Sequence, residues 1–197
     1  MGSLKALVLA GGESRRMGQD KAALVIDGQT QLARTVALAR SIASETFVSV
    51  RDSASSDALR LAYPTIEDAT PGAGPMAGIL AALRTDPTSD WLVLACDLPG
   101  LDAATLETLV AHASEEPAAN ALAIASEHNS ELPEPLCAIW RSAMIPLVTS
   151  RLNEGKGCAR KCLLLADATL VAPVTLGALD NMNTPADAKR WNATRVS

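Results

Sequence analysis

Short apolar runs alternate along this chain with longer segments in which apolar residues recur every three or four positions. Leu4–Ala10 reads as a strand that runs into a glycine turn at Gly11 and Gly12. Leu32, Val36, Ala39 and Ile42 fall at helical spacing and predict a helix. Strands are expected at Phe47–Val50, Thr65–Ile66 and Trp91–Ala95, with a short helix at Ala58–Leu61. A helix over Pro75–Leu83 begins with proline at a tolerated first-turn position. Another over Leu101–Ala113 has Asp102 as its N-cap. In the second half, strands at Ala121–Ala125 and Leu136–Trp140 flank a polar loop, Ser126–Pro133. Helices at Ser142–Leu152 and Cys158–Leu165, a strand at Thr169–Val171, a turn from Leu179 and a last helix from Pro185 to Trp191 complete the pattern.

Strand–helix alternation of this kind predicts an α/β fold with a mostly parallel sheet and right-handed crossovers. Ligands of such sheets bind beyond the carboxyl ends of the strands. The glycine turn, Glu67–Asp68 and Asp97 each follow a predicted strand, so they should gather on one sheet edge.

At 197 residues the chain fits a single domain. Hydrophobic residues are 48% and the net charge is −5, a balance that excludes disorder. An acidic pI of about 5.0 and only 3% aromatics exclude a general nucleic-acid binder and a base-stacking platform. No apolar run approaches a membrane span and no signal peptide is visible, so a cytoplasmic protein without membrane partners is expected. Cys96, Cys137, Cys158 and Cys162 lack redox or zinc spacing and read as buried or half-buried thiols. His112 and His128 have no nucleophile motif beside them.

Candidate chemistry is densest between Leu9 and Lys21. Paired glycines after a strand let backbone N–H groups approach a ligand. Arg15, Arg16 and Lys21 then supply positive charge, which together is what polyphosphate binding requires. The segment is neither a Walker A loop nor the dinucleotide fingerprint, because Gln19 follows Gly18 where a lysine is required and no third glycine sits at the right offset. Asp97 ends a buried strand and is braked by Pro99, a placement that suits a magnesium ligand or a helix cap. Asp68 precedes a glycine-rich loop and a helix start; it could accept hydrogen bonds from a ribose or base edge, or be a solvated acid. Asn181 and Asn183 lie at strand spacing, toward a ligand or within a turn before Pro185. Arg151, Lys156, Arg160 and Lys161 form a basic cluster, either a solvated face or a second phosphate loop.

Six segments resemble the molybdenum cofactor guanylyltransferases: residues 9–21, 66–68, 74–83, 94–99, 133–140 and 181–187. They run in order through nearly the whole chain. Gly11 is similar to the guanylyl-transferring members, where cytidylyl-transferring relatives carry a second alanine. The resemblance implies a three-layer, Rossmann-like fold of the nucleotide-diphospho-sugar-transferase type. It divides the domain into a nucleotide-binding half, 1–100, and an acceptor-binding half, 101–197. It implies magnesium as cofactor, with GTP and molybdopterin as partners and cofactor-insertion chaperones or upstream cofactor enzymes as candidates.

By motif match, Leu9, Ala10, Gly11 and Gly12 would meet the guanine nucleotide, Lys21 its phosphates and Asp68 its nucleoside. Asp97 would hold magnesium and nucleotide, and Asn181 and Asn183 would face the pterin or metal side. Arg51 stands where the family often has Asn; it could stack on the base or pair with Asp68. The implied reaction is in-line transfer of GMP, with Arg16, Lys21 and Asp97 stabilising charge. Alternatives are a nucleotidyltransferase for another acceptor or base, and a non-catalytic nucleotide-binding carrier.

Overall fold

The computed structural model describes residues 3–10, 20–70, 72–126 and 129–182. The chain elements, in order, are β1 (Leu4–Leu9), β2 (Val25–Ile26), β3 (Gln29–Thr30), α1 (Gln31–Ile42), β4 (Glu45–Val50), α2 (Ala58–Leu61), β5 (Thr65–Glu67), α3 (Pro75–Thr85), β6 (Asp90–Ala95), α4 (Ala103–Glu115), β7 (Ala121–Ser126), β8 (Asn129–Trp140), α5 (Ile145–Asn153), α6 (Ala159–Leu165) and β9 (Thr169–Val171).

Among the described residues a seven-stranded sheet has the order β5-β4-β1-β6-β8-β7-β9. β1 pairs in parallel with both β4 and β6, and β4 with β5. β8 is antiparallel to β6 and β7, which makes the sheet mixed. The chain leaves β1 toward β4 and β5, then returns to place β6 on the other side of β1. That reversal makes a switch point at the carboxyl ends of β1 and β6.

Both sheet faces are covered, so central strands are apolar on both sides. In β1, Ala6 and Val8 face one core while Leu7 and Leu9 face the other. In β6, Leu92 and Leu94 alternate with Trp91 and Val93 in the same way. The first core is closed by Leu32, Val36 and Ala39 of α1 and by Leu106 and Leu109 of α4. The second is closed by Met76, Ile79 and Leu83 of α3, Val148 of α5 and Leu163 of α6. This is the expected three-layer arrangement. Caps set the helix starts: Thr30 accepts from the Ala33 amide, Asp102 accepts from Thr105, and Pro75 opens α3.

The structure corrects several boundaries. The expected loop over Ser126–Pro133 is replaced from Asn129 onward by β8, which runs through Pro133 and Pro135. Its pairing with β7 slips between Ala123 and Ser126, and that irregularity accommodates a proline that cannot donate to the ladder. α4 begins at Ala103 because Asp102 is its cap. α5 begins at Ile145, after a 3-10 turn at Ser142–Met144. Cys158 is exposed at the start of α6, not buried. The β2–β3 hairpin had no counterpart in the sequence reading, although Asp27-Gly28 carries its signal. Both residues have positive φ, 51° and 78°, as a two-residue type I′ turn requires. His128 and the expected helix from Pro185 lie outside the described residues.

Candidate functional site

The carboxyl ends of β1, β4, β5 and β6 bring Ala10, Arg51, Asp68 and Asp97 to one edge, as the alternation predicts. Leu9 and Ala10, both buried, end the first strand and hold the switch point. The Cys96 amide donates to the Leu9 carbonyl at 3.3 Å, which joins the two strand ends.

Lys21 sits on a 3-10 turn, Lys21–Ala23, whose cap is Asp20; the Asp20 carboxylate accepts from the Ala22 amide at 3.1 Å. From there Lys21 Nζ reaches Asp97 Oδ2 at 3.0 Å, with both side chains about one-fifth exposed, at 22% and 20%. Asp97 Oδ1 is buried and has no hydrogen-bond partner among the described residues. An unpartnered carboxylate oxygen costs desolvation energy unless a cation or donor arrives. The Met182 amide donates to the Asp97 carbonyl at 2.9 Å, and this brings the exposed Asn181 beside the same strand end. Cys96, next to Asp97, is buried, and burial pushes its thiol up to about 12, so it offers no thiolate.

Asp68 is held by its amide donating to the Val50 carbonyl at 2.9 Å and by Ser49 Oγ donating to Oδ1 at 2.8 Å. Burial raises its pKa; the Ser49 hydrogen bond and the charge of Arg51 oppose that rise. Arg51, exposed, therefore acts on Asp68 electrostatically. Gly78 of α3 packs against this pair: a Cβ there would collide with Ser49 Oγ.

On β8, Glu134 is largely buried. Burial raises its pKa, opposed by the Leu136 amide and the charge of Arg160, while the charge of Asp97 adds to the rise. Arg160 donates to the Pro133 carbonyl at 3.0 Å and to Glu134 at 3.3 Å. Lys156 pairs with Glu154 at 2.7 Å. Two members of the basic cluster are thus committed to protein partners, which leaves less of it for a phosphate.

Sequence reasoning missed Arg60 of α2. Its guanidinium donates to the Ala10 carbonyl at 3.0 and 2.6 Å and to both Asp20 carboxylate oxygens at 2.8 and 2.9 Å. Those partners lie 50 and 40 residues away, beyond the reach of any local signal. Ser49, 19 residues from Asp68, escaped as well, whereas Gly78 lies in the glycine-bearing segment 74–83 and only its contact with Ser49 and Asp68 is new. Gly11, Gly12, Arg16 and Asn183 lie outside the described residues.

Residues 6–170 match the family described as MobA-like NTP transferase domain. The chain is 35% identical to a molybdenum cofactor biosynthesis bifunctional protein of Synechocystis sp., over 96% of this chain but 54% of that one. The chain therefore spans about half the length of that bifunctional relative. It is 33% identical to a probable molybdenum cofactor guanylyltransferase of Synechococcus elongatus, over 98% of both chains. A crystal structure of molybdopterin-guanine dinucleotide biosynthesis protein A from Archaeoglobus fulgidus superposes with a TM-score of 0.77 at 28% identity, covering 98% of each chain.

Proposed function

Because the chain belongs to the family of MobA-like NTP transferase domains, we propose that it transfers GMP from GTP to the terminal phosphate of molybdopterin. The products are the guanine dinucleotide form of the cofactor and pyrophosphate. The observation that carries this reading is the Lys21–Asp97 pair at the switch point, with one carboxylate oxygen buried and without a partner among the described residues.

That oxygen suits a hard cation. No group of three His, Cys, Asp or Glu side chains among the described residues is placed to hold a metal alone. Magnesium does not require one; one or two carboxylates suffice beside water and phosphate oxygens. Asp97 would hold it, and when bound it would supply Lewis-acid neutralisation of phosphate charge.

The protein's own groups do the rest. An oxygen of the molybdopterin phosphate bonds to the α-phosphorus of GTP, and the bond from that phosphorus to the bridging oxygen breaks, releasing pyrophosphate. The attacking oxygen is already anionic, so no general base is needed. The difficulty is holding two polyanions together. Lys21, fixed by Asp97 and by the Asp20-capped turn, presents its ammonium to the phosphates without reorganising. Leu9 and Ala10 offer backbone to the nucleotide, Asp68 accepts from the nucleoside, and Arg51 lies on the same side. Asn181 faces the acceptor, so residues 1–100 serve the nucleotide and 101–197 the acceptor.

The test is pyrophosphate release with molybdopterin-type acceptor, magnesium and each of the four nucleoside triphosphates. Release with GTP alone is expected. Release with CTP would keep the fold and move the reaction to cytidylyl transfer; GTP binding without release would make the protein a carrier.

Two further outcomes are expected at Asp68. Gly78→Ala displaces Ser49 Oγ and raises the KM for GTP about 10-fold, the scale of one hydrogen bond to a charged group. Crowding of Ser49, Leu9 and Asp68 offsets the gain of about 1 kcal/mol by which alanine favours a helix over glycine, so KM is compared on the folded protein. An unchanged KM would remove Ser49 from the site. The second outcome is a pH effect. Asp68 has a folded-state pKa above its ordinary value, so as pH falls it takes up a proton before an ordinary aspartate would. Its ionised acceptor is then lost and KM for GTP climbs, while the native state gains stability over the same window. Asp68→Asn should flatten that limb of a pH–KM profile.

A further inference from the structure

Arg60 has no place in the motifs, yet it makes a dense set of polar contacts near the site. Its side chain is 12% exposed and pairs with Asp20 at 2.8 Å and with Asp57 at 2.5 Å. The same guanidinium reaches the Ala10 carbonyl from two nitrogens. Ala10 is the residue immediately before the glycine-and-arginine segment 11–19, and Asp20 is the residue immediately after it. One planar fork therefore ties Ala10, at the end of β1, to Asp20.

Asp20 has two jobs that need this partner. Its Oδ1 caps the turn that carries Lys21 toward Asp97. It is also a carboxylate one residue from the ammonium assigned to the phosphates, where an uncompensated negative charge would repel a polyanion. The Arg60 hydrogen bond holds the Asp20 pKa below its ordinary value, against the opposing effect of burial. Asp20 is thus a fixed anion in need of a fixed cation.

We infer that Arg60 is a positioning residue for nucleotide binding: it holds Asp20 and Ala10 in register so that Lys21 meets the phosphates, and it cancels the charge of Asp20 beside them. The inference rests on the nucleotide-binding reading of the Lys21–Asp97 site. Arg60 itself touches none of the reacting atoms.

The test uses the full chain and four variants: Arg60→Met, Arg60→Lys, Asp20→Asn and the Arg60→Met/Asp20→Asn double. GTP affinity is measured by calorimetry with magnesium, pyrophosphate release gives kcat and KM, and urea unfolding reports the fold. Arg60→Met should weaken GTP binding and raise KM by about 10- to 100-fold, the scale of lost hydrogen bonds to a charged group, with a smaller effect on kcat. Arg60→Lys should recover part of the loss, since lysine restores the charge but cannot span both partners. The double variant should bind GTP no worse than Arg60→Met alone, because the two residues act as one unit. Wild-type Kd and KM in a folded Arg60→Met would overturn the inference, as would additive losses in the double variant. If Arg60→Met does not fold, Arg60→Lys and Asp20→Asn carry the comparison, and wild-type affinity in both overturns it. Wild-type protein that binds GTP but releases no pyrophosphate would refute the transfer reaction and leave the role of Arg60 to be read from Kd. No GTP binding by wild-type protein would end both.

Discussion

Asp97→Ala lowers kcat for GMP transfer by about 100- to 1000-fold at saturating GTP and magnesium, the scale on which one preorganised charge stabiliser is lost. The expectation follows from the geometry of a single carboxylate. Oδ2 fixes Lys21 at 3.0 Å, and Oδ1 is buried without a partner among the described residues. Truncation removes both functions at once: the ammonium loses its anchor and a cation loses its carboxylate. Lys21→Ala should fall on the same scale. Because the two side chains work as a pair, the Lys21→Ala/Asp97→Ala double should be little worse than either single variant. Asp97→Asn separates charge from shape, since it keeps the volume and an acceptor oxygen but not the negative charge; it should lie near Asp97→Ala. Near-normal turnover by Asp97→Ala at saturating magnesium would dismiss the assignment.

The largest expected stability loss lies at the other edge of the sheet. Arg141 is 8% exposed and follows β8. It donates to Asp90 at 3.2 Å, to the carbonyls of Glu116 and Ala119 at 2.7 and 2.6 Å, and to the Ala113 carbonyl at 2.8 Å. Three of those acceptors belong to the end of α4 and the turn beyond it, where helix carbonyls lack internal partners and a cation is favoured. Arg141→Met leaves these carbonyls and the Asp90 carboxylate without their donor. Breaking a buried charge pair from one side costs about 3–5 kcal/mol, and that loss is expected in urea unfolding at constant m-value. Asp90 begins β6 and Asp97 follows its end, so Arg141 sits about 20 Å from the site by strand length. The kcat of the folded fraction should therefore be unchanged. A loss below about 1 kcal/mol would show that water takes over the orphaned carbonyls.

The contrast between these two arginine- and lysine-centred networks explains what could be read beforehand. Asp97 and Lys21 were legible because each follows a strand or glycine turn in a segment whose local composition is unusual. Arg141 and Arg60 were not. Each is an ordinary arginine in its own neighbourhood, and apart from Asp57 beside Arg60 its partners lie 22 to 51 residues away. The β8 error has the same origin. Pro133 and Pro135 read locally as loop residues, and only pairing with β7 and β6 draws them into a strand. The missed β2–β3 hairpin is different, because the Asp27-Gly28 turn was visible in the sequence and needed no tertiary knowledge.

The residues alone were enough for the class of fold, for the strand ends that gather on one edge, and for Lys21, Asp68 and Asp97 as the candidates placed there. Those properties depend on periodicity, caps and turn residues, which act over a few neighbouring positions. Only the tertiary structure decided that Ser49 and Gly78 frame Asp68, that Met182 docks on Asp97, and that Arg60 locks Asp20 to Ala10. Hydrogen bonds and charge pairs form between groups that folding brings within about 3 Å, whatever their separation along the chain, so no local pattern announces them.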